Sequence, residues 1–129
     1  MSLLYESYSF KDRGMLFQKR PTRLLTTLGK TVDTAWQSVL GTEQPVGTKV
    51  EIRGTLYWID PTGAYQFVEA GKSIKVYIKP PGETSWSLLT TKTTDGNSSI
   101  YQPFTLPTPG LYSFYCEFAG DALYEGCAG

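Results

Sequence analysis

The end of the chain carries the alternation that most limits what this sequence can fold into. Between residues 111 and 118 every second side chain is a large apolar or thiol group, and the intervening positions are mixed. A period of two is typical of a β-strand with one face in a core. Gly120 and Asp121 then supply turn residues, and residues 124–127 can return as a partner strand. The sequence therefore predicts a terminal β-hairpin whose first strand carries Tyr112, Phe114, Cys116 and Phe118 on one face.

Similar short alternations recur through the body of the chain. They predict strands at Val50–Trp58 and Ile74–Ile78, and further strands at Ser85–Leu89 and Ser99–Leu106. Pro103 lies inside the last of these, which favours an edge position or a bulge. Glycine (13) and proline (8) separate the short apolar segments. This pattern predicts an all-β sandwich of a single domain rather than a helical protein.

The region before the first clear strand allows two interpretations. Residues 22–28 have room for a first edge strand. In residues 31–40, Val32, Ala35, Trp36 and Val39 are spaced by three and four, which predicts one short helix. The alternative is a second piece of the first strand.

Two stretches resemble the bacterial immunoglobulin-like domain family. Gly110-x-Tyr112 runs into Gly120-Asp121-x-x-Tyr124 as in the last hairpin of that family, and Val46–Leu56 is similar to the opening of its second strand. The resemblance covers residues 46–127. It implies an immunoglobulin-like β-sandwich of about seven strands, with Tyr112 in a tyrosine corner. The inter-sheet disulfide of antibody-type domains is not expected, because Phe114 stands at its position.

Net charge divides the chain into a predicted N-terminal arm, residues 1–30, and a predicted immunoglobulin-like domain, residues 31–129. The arm carries a net charge of +4 and the domain −4. The arm is also rich in apolar side chains, which need a partner to cover them. We expect it to pack on its own domain or on a neighbour, with a solvated terminus as the alternative. Its candidate assembly residues are Leu3, Leu4, Tyr8, Phe10, Leu16, Phe17, Lys19, Arg20 and Arg23.

The residues that usually carry chemistry are scarce. The chain has no histidine, and two cysteines alone cannot form a tetrahedral zinc site. No glycine-rich phosphate loop and no Gly-x-Ser-x-Gly nucleophile motif occurs. We therefore expect a non-catalytic protein that uses no cofactor and no metal.

Two classes of function fit these observations. The first is a structural protein that self-associates or docks through its arm on a larger particle, such as a virion or a cell-surface filament. The second is a carbohydrate-binding or adhesion module that uses exposed aromatic rings. Its candidate ligand aromatics are Tyr57, Tyr65, Phe67, Trp86 and Tyr101.

The expected partners of the first class are copies of this chain or other structural proteins, and nucleic acid is not expected. No apolar run is long enough for a membrane span, and no signal peptide is visible. The initial Met suggests a complete small subunit. We expect synthesis in the cytoplasm and a place in a virion or at an extracellular surface.

Cys116 and Cys127 form a candidate disulfide across the terminal hairpin. In a regular hairpin centred between Asp121 and Ala122 the two residues face each other directly, which is close to disulfide geometry. The alternative is a pair of small buried thiols. A one-residue bulge at Gly120 would place them on opposite faces.

Overall fold

A computed structural model describes residues 18–39 and 44–129, so the arm residues Leu3, Leu4, Tyr8, Phe10, Leu16 and Phe17 lie outside the described part. The described chain is all-β and contains no helix. Its strands are β1 (Thr22–Val32), β2 (Ala35–Ser38), β3 (Lys49–Ile59), β4 (Tyr65–Phe67), β5 (Ser73–Lys79), β6 (Ser87–Thr93), β7 (Ser99–Thr105), β8 (Ser113–Phe118) and β9 (Cys127–Ala128).

The strands form two antiparallel sheets. The five-stranded sheet has the order β2-β1-β3-β4, and β7 also pairs with β3. Strands β7 and β4 follow one another along the same edge of β3, since β7 pairs with residues 49–55 and β4 with residues 57–59. The four-stranded sheet has the order β6-β5-β8-β9. Pro103 lies in β7, which among the described strands pairs with β3 alone and is an edge strand there, one of the two positions that its proline favoured.

The core lies between the inner faces of the two sheets. Alternate residues of β3 and β5 are buried there, in agreement with the predicted alternation. Gly54 lies at a close approach of the two sheets, because a Cβ at this position would lie 3.3 Å from the Cys116 sulfur. The buried core residues are Leu24, Ile52, Leu56, Val68, Ile74, Val76, Ile100, Cys116, Phe118 and Tyr124. The fold is thus a β-sandwich.

The predicted helix in residues 31–40 is wrong. Residues 31–32 end β1, and the chain turns at Asp33 and Thr34 into β2, with Val32 paired to Ala35. Both turn residues have positive φ, 49° and 67°, as a two-residue hairpin turn that matches strand twist requires. Val32 and Ala35 are three residues apart because they flank the two-residue turn as a cross-strand pair, and not because they share one face of a helix.

The first strand crosses the boundary placed between residues 30 and 31. Residues 22–29 pair with β3, so they belong to the five-stranded sheet. Arg20 is also held by the sandwich: its guanidinium lies 4.3 Å from the Trp58 ring centre, and its backbone N–H donates to the Leu123 carbonyl. Lys19 and Arg23 are exposed. The described part of the predicted arm therefore begins to pack at Arg20.

The predicted Cys116–Cys127 disulfide is not formed. Cys127 pairs with Phe118, and Cys116 exchanges two backbone hydrogen bonds with Gly129. The pairing is therefore shifted by two residues relative to a hairpin with a two-residue turn. Both cysteines are free thiols on the inner side of the sheet. Cys116 is fully buried, and this burial raises the pKa of its thiol.

The terminal turn has this register because Asp121 organises it. The Asp121 carboxylate accepts hydrogen bonds from the backbone N–H groups of Leu123 and Tyr124 and pairs with Lys72 at 2.6 Å. These donors lower the pKa of Asp121 to about 2, the Lys72 bond having the largest effect. Tyr124 is thereby turned into the core, where its hydroxyl donates to Glu69. A wide turn around a buried tyrosine replaces the expected tight hairpin.

Tyr112 makes the hydrogen bond expected of a tyrosine corner. Its hydroxyl donates to the Thr108 carbonyl at 2.9 Å and accepts from the Thr108 N–H at 3.1 Å. The Thr108 hydroxyl lies 2.8 Å away. The ring packs near Phe104, with ring centres 5.9 Å apart. Tyr112 therefore ties the loop before β8 to the end of the sandwich.

We expect Tyr112→Phe to lower the free energy of unfolding by about 1 kcal/mol, because the backbone of Thr108 loses a partner while the ring stays in place. Urea denaturation measures the change. Tyr65→Phe is the matched control, since the described residues supply no partner for that exposed hydroxyl. Equal stability of the Tyr112→Phe variant and the wild type would contradict a stabilising corner.

Candidate functional site

The outer face of the five-stranded sheet collects large side chains that the core does not use. On β3 the outward residues alternate with the buried ones, and strand pairing places residues of β1, β4 and β7 beside them. Isolated exposed apolar residues are ordinary, but a continuous group on one face often marks an interaction site. We call this surface the aromatic face; it carries Leu25, Trp36, Arg53, Tyr57, Tyr65, Phe67 and Tyr101.

Three rings form one end of the aromatic face. Tyr57 pairs with Phe67 across β3 and β4, and their ring centres lie 5.9 Å apart. Tyr65, on the same strand as Phe67, has its ring centre 5.4 Å from that of Tyr57. Tyr65 and Phe67 are each 56% exposed, and Leu25 of β1, on the opposite side of β3, is 58% exposed. The rings are tilted by 46° and 32° rather than coplanar, so they form an uneven apolar knob.

The turn before β4 holds this knob in position. Asp60 accepts hydrogen bonds from the backbone N–H groups of Thr62 and Ala64, and from the side chains of Thr62 and Gln66. The Thr62 hydroxyl has the largest effect in lowering the pKa of Asp60 to about 2. Gln66 lies between Tyr65 and Phe67, so the bond from its amide fixes β4 to the turn. The ordered carboxylate therefore restrains the exposed rings.

The other end of the aromatic face is built around Arg53. Its guanidinium lies 5.3 Å from the ring centres of both Trp36 and Tyr101. It also donates to Glu51 at 3.1 Å, and the Thr31 hydroxyl donates to the same carboxylate at 2.6 Å. These bonds lower the pKa of Glu51, and the bond from Thr31 has the largest effect. Arg53 is thus held in place by its own neighbours. The exposed parts of its guanidinium and of the Trp36 and Tyr101 rings remain for contact with a partner.

Trp36 reaches this position because residue 29 is glycine. A Cβ on Gly29 would lie 2.2 Å from the indole ring, so only glycine allows the ring to lie across the strand. Trp36 of β2 stands beside Thr31 of β1 in the same hairpin. The sequence could not distinguish this arrangement from a helix, and Trp36, Leu25 and Arg53 were not predicted as site residues. The outward alternation along β3 was the signal that could have identified Arg53.

The structure brings four of the five candidate ligand aromatics together and separates the fifth. Tyr57, Tyr65, Phe67 and Tyr101 share the aromatic face. Trp86 lies on the outer side of the four-stranded sheet, with its ring edge against Tyr115 at 4.7 Å and Lys79 over its face. Trp86 therefore belongs to a different surface.

Among residues 18–39 and 44–129, no three His, Cys, Asp or Glu side chains are grouped so that they could hold a metal ion. In the same residues, no helix has the length and apolar character needed to cross a membrane. No family model, no curated protein and no solved structure matches the chain. Its interpretation therefore rests on its own residues.

We expect the double change Tyr65→Ala and Phe67→Ala to lower the free energy of unfolding by less than about 1 kcal/mol, because exposed side chains lose little burial. Thermal and urea denaturation measure it. Ile52→Ala is the matched core control, with an expected loss of about 2–5 kcal/mol. A loss of that size in the double variant would show that the knob is part of the core.

We expect the Asp60 carboxyl to titrate at about 2. Because the pKa is lowered in the folded state, ionised Asp60 stabilises the turn above its ordinary value of 3.8, and this contribution disappears as the pH falls towards 2. The amide signals of Thr62 and Ala64 in an NMR titration should follow that midpoint. In Asp60→Asn they should not. A midpoint near 4 would contradict the restraint.

Proposed function

We propose that this chain is a non-catalytic structural protein, an immunoglobulin-like module that self-associates within a larger particle such as a virion or a cell-surface filament. Its N-terminal arm and its aromatic face are the two contact elements. The observation that carries the proposal is the knob of Tyr57, Tyr65 and Phe67, whose outer two rings are more than half exposed yet fixed by β3 and by the Asp60 turn.

An exposed ring that is already held in one position loses little conformational entropy when a partner buries it. Tyrosine in particular is enriched among the residues that dominate protein interfaces. The rings of the knob are tilted against one another, so they offer an uneven apolar surface for the side chains of another protein. Leu25 extends the apolar area beside it, and Arg23 is paired with Tyr57 at its margin. An apolar centre with a charged margin is the usual composition of an interface.

Charge supports association between copies. Residues 1–30 carry +4 and the remainder −4, so the arm of one copy is attracted to the body of another. The apolar residues of the arm would supply affinity, while the charges favour one orientation. Within the arm, Arg20 is engaged with Trp58 and Tyr124 of its own sandwich, so the remaining candidate contacts are the residues before it and the exposed Arg23. A virion or a cell surface is the setting that we propose for such an assembly.

Carbohydrate binding is the second candidate function. It is favoured by the sharing of one sheet face by Tyr57, Tyr65, Phe67 and Tyr101, since successive rings along a face can stack on successive sugars. Two observations count against it. The three rings of the knob are not coplanar, and the Asp60 carboxylate oxygens accept hydrogen bonds from its own turn and from Gln66. Assembly therefore remains the main proposal.

Sedimentation equilibrium of the full chain tests the proposal. We expect concentration-dependent self-association, and we expect Tyr65→Ala with Phe67→Ala to weaken it by about thirtyfold, which corresponds to about 2 kcal/mol. Leu111→Ala is the matched control, because Leu111 is the most exposed large apolar residue described and lies outside the aromatic face. That variant should associate like the wild type.

A full chain that stays monomeric at all concentrations would overturn self-association. Titration with soluble polysaccharides, followed by tyrosine and tryptophan fluorescence, examines the second candidate. Saturable binding that disappears in the Tyr65→Ala and Phe67→Ala variant, together with a monomeric chain, would favour the carbohydrate-binding function instead.

A further inference from the structure

The connection between β6 and β7 carries a sequence pattern that the proposed assembly does not use. It contains Asn97-Ser98-Ser99, and Asn97 is the single asparagine of the chain. An asparagine followed by any residue except proline, and then by serine or threonine, is the acceptor pattern for N-linked glycans. So short a pattern also arises by chance. Its position in the structure therefore decides whether this asparagine is suited to carry a glycan.

Asn97 lies at the exposed tip of this connection, which leads the chain from the four-stranded sheet to the five-stranded sheet. Asp95, Gly96 and Asn97 are all exposed. Thr94 and Ser98, on either side of the tip, are buried. A glycan is bulky and hydrophilic, so the residue that carries it has to be at the surface of the folded protein. Asn97 meets this requirement.

The backbone and Asp95 hold the turn, while the Asn97 side chain does not contribute. The Asp95 carboxylate accepts hydrogen bonds from the backbone N–H groups of Asn97 and Ser99, at 2.8 and 3.0 Å. The Asp95 backbone N–H donates to the Ser99 carbonyl at 2.9 Å. Among the described residues, the Asn97 side-chain amide has no hydrogen-bond partner. Its nitrogen is thus free for covalent attachment, and the turn does not depend on it.

Two buried residues anchor the tip to the sandwich. The Thr94 backbone N–H donates to the Lys72 carbonyl at 2.9 Å, and its hydroxyl donates to the Glu69 carbonyl at 3.1 Å. On the other side of the tip, the Ser98 hydroxyl donates to the Val68 carbonyl. Because both anchors are fixed and the tip between them is in water, a group attached to the tip displaces no buried side chain.

The hydroxyl of Ser99 has a structural role besides its place in the pattern. It donates to the Asn97 carbonyl at 3.0 Å and lies 3.0 Å from the Thr55 hydroxyl. Threonine at this position would keep the hydroxyl and the pattern, whereas alanine would lose both. Asn97→Gln differs from either change, because it removes the pattern and leaves the Ser99 hydroxyl in place. Variants at the two positions together separate glycan attachment from turn stability.

The loops around the tip gather at the end of the sandwich from which the arm leaves. Thr94 bonds to Lys72, and the Lys72 side chain pairs with Asp121 in the terminal turn. The same turn meets the start of the described chain, where the Arg20 N–H donates to the Leu123 carbonyl at 2.8 Å. A glycan on the tip would therefore lie at this end, in a loop that belongs to neither sheet.

We propose that Asn97 is the acceptor of an N-linked oligosaccharide whose donor is a lipid-linked diphosphate. The Asn97 Nδ2 atom forms a bond to the anomeric carbon of the first sugar, and the bond from that carbon to the diphosphate oxygen breaks. The diphosphate leaves with the electron pair, and the amide nitrogen gives one proton to a base of the transferase. This inference goes beyond the proposed assembly and shares with it only the extracellular setting.

Incubation of the folded full chain with an oligosaccharyltransferase and a lipid-linked oligosaccharide, followed by intact mass spectrometry, tests the proposal. We expect the mass to rise by one oligosaccharide, and peptide mapping to place it on Asn97. Asn97→Gln and Ser99→Ala should each lose the addition. Ser99→Thr is the matched control and should keep it, since the pattern is retained. Urea denaturation shows that each variant is folded, and an unrelated acceptor peptide shows that the transferase is active.

Three results would overturn the assignment. The first is an unchanged mass of the wild-type chain when the unrelated peptide is modified. The second is an addition that persists in Asn97→Gln, which would place the glycan elsewhere. The third is an addition to a synthetic peptide of residues 92–102 but not to the folded chain, which would mean that the turn hides the asparagine. Sedimentation of the unmodified chain tests self-association separately, so none of these results bears on the proposed assembly.

Discussion

The hydrogen bonds that Asp121 accepts from its own turn determine much of this structure. They fix a wide turn with Tyr124 in the core, and this turn sets the register in which Cys116 faces Gly129. The register separates the two thiols. One short side chain with two backbone donors and Lys72 thus decides the state of the cysteines.

The proposed function depends on exposed surfaces of the described residues. The carboxylates that are well organised, Asp60, Asp121 and Glu51, each accept bonds from their own neighbours and have lowered pKa values. Such carboxylates order turns and strands. The large exposed rings remain available, and their fixed positions suit contact with another protein. The proposed assembly role follows from this division between internal polar bonds and external aromatic rings.

Much of the fold was predictable because strand alternation is a local signal. The predicted strands at Val50–Trp58 and Ile74–Ile78 became β3 and β5, and each observed end lies one residue beyond the predicted one. The helix predicted in residues 31–40 was wrong. Apolar residues that flank a two-residue turn with positive φ are three positions apart, as they are on one face of a helix. The exposed positions of Tyr65 and Phe67 agreed with their place after a turn, but β4 itself was not predicted, since three residues are too few to show a period.

The sequence by itself determined the class of fold, because alternation and turn residues are properties of the chain alone. It also singled out Tyr112 and the aromatic residues. Only the tertiary structure decided which rings share a face, since pairing of β3 with β4 and β7 joins residues far apart in sequence. The register of the last strands was likewise a tertiary decision, because burial of Tyr124 and the Lys72–Asp121 pair depend on partners about fifty residues away.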